Sequence, residues 1–109
     1  MNALRQIVGV APGLHACPTL ADALQAWGVD TMLIAGYMTH NCFDSTAREA
    51  FHRGYRVGVV ADASATRDLP GPDRRSIPVA TVHANVLAGL GDRIAEIIDV
   101  ATVAALVVT

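Results

Sequence analysis

A chain of 109 residues with 52% hydrophobic and 17% charged side chains is sized for one domain and too apolar for a disordered or low-complexity polymer. Eight basic residues against ten acidic ones leave a formal charge of −2, which offers neither nucleic acid nor an anionic membrane an electrostatic footprint. All eight basic residues are arginine, and the two cysteines, Cys17 and Cys42, are too few for a disulfide framework or a thiol-built zinc site.

At the start of the chain Arg5 and Gln6 are followed only by the short apolar run Ile7 to Ala11. No secretory leader is read there, and a cytoplasmic location is the expectation. Thr19 reads as the N-cap of a helix over 19–27, with Leu20, Leu24 and Trp27 on one face and Gly28 as the stop. Thr31 to Gly36 is a continuous apolar run of strand length, the pattern of a parallel strand buried on both faces. Phe43, Ala47, Ala50 and Phe51 follow at helical spacing as far as Gly54, and Arg56 to Ala61 reads as a second buried strand. Residues 31–61 thus form a strand–helix–strand unit, the building block of an α/β fold. The proline-containing stretch 62–78 reads as a surface loop. Val82, Val86, Leu87 and Leu90 then repeat at helical spacing, Ile94, Ile97 and Ile98 suggest a third strand, and the tail reads as a short helix. The longest apolar stretch, Val100 to Val108, falls far short of the roughly 20 residues that a membrane span requires.

Ligands of an open parallel sheet gather outside the carboxyl ends of its strands, where Gly36-Tyr37-Met38-Thr39-His40-Asn41-Cys42 falls. Cys42 then opens a helix whose free N–H groups and dipole favour a thiolate, so it is the candidate nucleophile. His40, two residues earlier, is a candidate base or substrate contact. Asp62, at the end of the second strand, is a candidate substrate contact whose bland alternative is to order the following turn. Helix-start preferences explain Asp44 and Ser45, and Arg48, Glu49, His52 and Arg53 read as a solvated helix face. His15 and His83 are isolated and carry little functional weight. Cys42 and Arg48 also have the Cys-x5-Arg spacing of phosphatases, but no glycine lies between them and Asp44 would oppose a phosphate. No Gly-x-Gly-x-x-Gly follows Met32 to Ile34 either, which removes a dinucleotide site.

The segment Gly36 to Cys42, followed by Thr46-Ala47-Arg48, Ala50, Gly54-Tyr55, Asp62-Ala63 and Ala65-Thr66, closely resembles the isochorismatase-like cysteine hydrolases, as does Cys17-Pro18-Thr19-Leu20. The likeness runs in order from residue 16 to about residue 106. It implies a three-layer, Rossmann-like parallel sheet and hydrolysis of a small amide-type substrate without a cofactor. It also implies Cys42 as nucleophile, an oxyanion hole built from the N–H groups of Met38 and Cys42, and a cis peptide between Tyr37 and Met38. The family's catalytic aspartate and lysine precede the cysteine, whereas residues 1–15 hold no acidic residue and the chain holds no lysine. The expectation is therefore one partial domain over 1–109 that lacks the family's N-terminal strands, binds no metal and has impaired activity. The missing neighbour strand would leave an apolar edge beside 31–36, to be covered by Ile7 to Ala11 or by a second copy in a homo-oligomer. The competing reading is a non-catalytic fragment or interaction subunit that pairs through that edge.

Overall fold

The two continuous apolar runs become the central strands of a four-stranded parallel sheet. The computed structural model describes residues 6–9, 18–26 and 28–108. In chain order the elements are β1 (Gln6–Gly9), α1 (Pro18–Ala26), β2 (Thr31–Tyr37), a π-helical turn (Thr39–Phe43), α2 (Asp44–His52), β3 (Arg56–Ala65), β4 (Leu69–Pro70), β5 (Ser76–Ile77), α3 (Val79–Arg93), β6 (Glu96–Ile98) and α4 (Val100–Val108). The sheet order β1-β2-β3-β6 follows the chain, with every neighbouring pair parallel, as strand–helix–strand connections between adjacent strands produce.

Thr31 to Ile34 and Val57 to Val60 are buried without a break. Because side chains alternate across a strand, Met32, Ile34, Val57 and Val59 share one face, where they form the core with Leu24 of α1, Phe43, Ala47 and Ala50 around α2, and Leu90 of α3. On the other face the missing side chain of Gly58 makes room for Leu33, whose Cδ2 lies 2.8 Å from where a Cβ would stand. Helices rather than water cover these strands, which is why they read as apolar runs instead of alternating ones.

Several expectations are corrected. Helix α1 begins at Pro18, which suits a first turn because its missing N–H has no partner there, so Thr19 lies inside the helix rather than capping it. Trp27, Cys17 and His15 lie outside the described residues. Of the two covers expected for the edge beside 31–36, the structure shows the first with shifted bounds: β1 pairs Gln6 to Gly9 with Thr31 to Ile34. The stretch 62–78 is more ordered than a loop: β3 continues to Ala65, and β4 and β5 form a small antiparallel hairpin. Asp62 therefore lies within β3 instead of ending it.

Carboxylates set the helix starts in this part of the chain. Asp68 accepts a hydrogen bond from Val79 N at 2.7 Å and so holds the first N–H of α3. At α4, Asp99 accepts from Thr102 N at 2.8 Å and from its hydroxyl at 2.7 Å, while Asp62 accepts from Val100 N at 2.8 Å. Thr102, through its hydroxyl first and its N–H second, holds the Asp99 carboxyl below its ordinary value of 3.8. Folding thus favours the ionised form. The stabilisation is present above about pH 4 and is lost as pH falls through the folded-state value. The melting-temperature gap between the wild type and Asp99→Asn is accordingly expected to narrow between about pH 6 and pH 3. A gap constant over that range would sever the link.

Candidate active site at the carboxyl ends of β2 and β3

The polypeptide turns sharply where β2 ends. Gly36 takes φ 120°, a conformation suited to glycine, and the Tyr37–Met38 peptide is cis. The chain then enters the π-helical turn, in which Asn41 departs from helical geometry at φ −121° and ψ −110°. Asn41 N donates to Met38 O at 2.9 Å and closes the loop. Cys42 follows this kink and Phe43 is already helical, so the thiol sits at the entry to α2, two residues before its first regular turn. It is free and half-buried. Tyr37 is 71% exposed, which places an open aromatic side chain beside the turn.

Strand β3 is distorted at the same level. Between the pairs Ile34↔Val59 and Gly36↔Ser64, β2 advances two residues while β3 advances five. Such a bulge takes carbonyls out of the ladder, and side chains recover two of them. Ser64 Oγ donates to Val60 O at 2.6 Å, and His83 Nε2 donates to Ala61 O at 3.1 Å. A carbonyl only accepts, so Nε2 carries the ring proton and Nδ1 of the neutral ring is an acceptor. Thr39, fully buried, donates its hydroxyl to that Nδ1 at 2.8 Å. His83 therefore braces α3, the bulge of β3 and the turn that carries Cys42.

The candidate residues separate into two groups. Tyr37 ends β2, and Met38, His40 and Cys42 fall on the turn that follows it, where His40 Nδ1 is hydrogen-bonded to Thr66 Oγ1 at 2.6 Å. Asp62 stands in the bulge, but its Oδ1 is engaged by the first N–H of α4. Arg48 forms an i,i+4 ion pair with Asp44 at 3.1 Å and faces solvent, which ends the phosphate-cradle reading. Arg53 pairs in the same way with Glu49 at 3.0 Å. Four residues after Cys42, Thr46 is buried with its Oγ1 lacking a hydrogen-bond partner.

Sequence reasoning passed over His83. The available signal was its place on the buried stripe of α3, since His83, Val86, Leu87 and Leu90 recur at i, i+3, i+4 and i+7. A ring on that stripe has to find polar partners inside the fold. Two clefts, of about 440 Å³ and 290 Å³, lie at the opposite, amino ends of the strands, the larger beside Asp22, Asp30 and Tyr55 and the smaller beside Phe51 and Arg93. Neither is lined by a cysteine or histidine, so the chemistry points to the carboxyl ends.

The sequence profile of the isochorismatase domain matches residues 13–102. The secreted isochorismatase effector Isc1 of Verticillium dahliae is 40% identical over 62 residues, covering 57% of this chain and 33% of its own length. Nicotinamidase 3 of Arabidopsis thaliana is 45% identical over 47 residues, covering 43% of this chain and 24% of its own. The crystal structure of a cysteine hydrolase from Pseudomonas syringae pv. phaseolicola superimposes with a TM-score of 0.76 at 30% identity, covering 80% of this chain and 41% of that one. In each of these comparisons the chain spans less than half of the relative's length.

Proposed function

The chain belongs to the isochorismatase family, and from that premise we propose that it is a cysteine hydrolase of small amides in which Cys42 is the nucleophile. The observation that carries this reading is the free, half-buried thiol in the turn between β2 and α2, at the carboxyl edge of a parallel sheet. The relatives named nicotinamidase and cysteine hydrolase support an amide substrate and a thiol mechanism.

In this mechanism the Cys42 sulfur attacks the amide carbonyl carbon, and the π electrons move onto oxygen. The N–H groups of Met38 and Cys42 receive that oxyanion, since donors fixed in advance are most effective where charge develops. Collapse breaks the C–N bond, the nitrogen leaves with a proton, and a thioester remains on Cys42 until water hydrolyses it and returns the thiol. His40 is the proton carrier assigned here. It shares the turn with Cys42, and Thr66 fixes its Nδ1, which leaves Nε2 for proton transfer. Asp62 is assigned to the α4 helix start rather than to chemistry, because its carboxylate already serves Val100 N. Among the described residues no three His, Cys, Asp or Glu side chains converge as metal ligands. Among those residues, too, no helix is long and apolar enough to cross a membrane.

The test is to incubate the protein with a panel of primary amides that includes nicotinamide, assay ammonia release, and quench with acid for intact-mass analysis. The expected result is release from at least one amide, with a mass increase equal to its acyl group on the peptide containing Cys42. Turnover with the acyl group on any other residue, or no turnover across the panel, overturns the proposal.

A further inference from the structure

We propose that His83 is a positioning residue for the Cys42 turn, acting through its hydrogen bond with Thr39 rather than by touching substrate. This rests on the cysteine-hydrolase reading above for its kinetic consequence, but its structural basis is independent of that reading. Thr39 directly follows Met38, whose N–H is the first proposed oxyanion donor. Two bonds hold the chain just after that position: Asn41 N to Met38 O at 2.9 Å and the Thr39 hydroxyl to His83 Nδ1 at 2.8 Å. The histidine is itself oriented by Ala61 O, at the bulge where the β2–β3 ladder is interrupted. Its two ring nitrogens thus do separate jobs, one anchoring to β3 and the other holding the turn. Thr39 is completely buried, and removing the ring takes away the acceptor that its hydroxyl has inside the fold. The turn is then free to relax, and a shift of about 1 Å at a reacting centre costs on the order of 100-fold in rate.

The two bonds are separable by substitution. Asn places an amide oxygen near the former Nδ1 and accepts from Thr39, but does not reach Ala61 O. Gln places an amide N–H near the former Nε2 and reaches Ala61 O, but offers nothing to Thr39. The experiment compares His83→Asn, His83→Gln and His83→Ala for melting temperature, for kcat and KM on the best amide, and for the iodoacetamide alkylation rate of Cys42, resolved from Cys17 by peptide mass spectrometry.

The expected result is a kcat lowered about 10- to 100-fold in the Gln and Ala variants, with KM changed less than about threefold, and Asn within about threefold of wild type on both. The Cys42 alkylation rate should follow the same order, with Asn like wild type and Gln like Ala. In a Thr39→Val background, which has already lost the hydroxyl, His83→Ala should add little further loss of kcat. Asn and Gln behaving alike, or losses that track melting temperature, would overturn the proposal, as would three variants that all fail to fold. If the wild type hydrolyses no amide while the alkylation order holds, the hydrolase reading fails and the positioning role stands.

Discussion

Phe43→Ala will lower the unfolding free energy by about 3–5 kcal/mol, whereas Phe51→Ala, eight residues later on the same helical run, will change it by about 1 kcal/mol or less. Both phenylalanines sit at helical spacing with Ala47 and Ala50, and the sequence gives no reason to rank them. The structure does. Phe43 is 2% exposed and packs in the core with Leu24, Met32, Ile34 and Leu90, whereas Phe51 is 38% exposed. At about 100° per residue, Ala47 and Ala50 fall within roughly 40° of Phe43, while Phe51 is rotated by roughly 80° to the margin of the buried stripe. Truncating Phe43 opens a cavity between the β2–α2 junction and α3 that close-packed neighbours fill only in part. Urea denaturation of both variants, read by fluorescence and far-ultraviolet dichroism, decides the matter. Equal losses would mean that Phe43 does not anchor this junction.

That contrast marks where sequence reasoning ends. The strands beginning at Thr31 and Arg56 were legible because burial on both faces leaves no room for polar residues, and the helices between and after them were legible from their apolar period. The extension of β3 to Ala65 was not. Asp62, Ala63, Ser64 and Ala65 carry no apolar pattern, and their place in the sheet depends on the register jump against Gly36 and Tyr37, a pairing between segments distant in sequence. The same limit hid the polar brace. His83 lies 44 residues from Thr39 and 22 from Ala61, so no local spacing announces either bond. Asp62 shows the converse: a carboxylate at a strand end beside the expected crevice has the sequence profile of a substrate contact, yet its partner is a helix N–H 38 residues on. The turn holding Cys42 was legible as a location, through the strand-to-helix transition, while its π-helical path and the kink at Asn41 were not.

Replacing Cys42 separates chemistry from architecture more sharply than any other single change. Its side chain is small and half-buried, without a disulfide partner, so Cys42→Ala and Cys42→Ser should shift the unfolding free energy by about 1 kcal/mol or less. On turnover the expected effect is of another order. Alanine leaves the Met38 and residue-42 N–H groups in place but removes the atom that forms the bond, so the amide waits for water, and kcat should fall roughly 1,000-fold or more. Serine keeps a nucleophilic atom, but a hydroxyl holds its proton far more tightly than a thiol does. Both variants should therefore lose ammonia release and the acyl adduct together while melting close to wild type. Alanine tests whether the thiol is needed, and serine tests whether its acidity is. An alanine variant as active as wild type would move the nucleophile elsewhere and leave the family likeness as one of fold. A serine variant retaining most of the activity would instead show that the turn supplies a base strong enough to ionise a hydroxyl, the part assigned to His40.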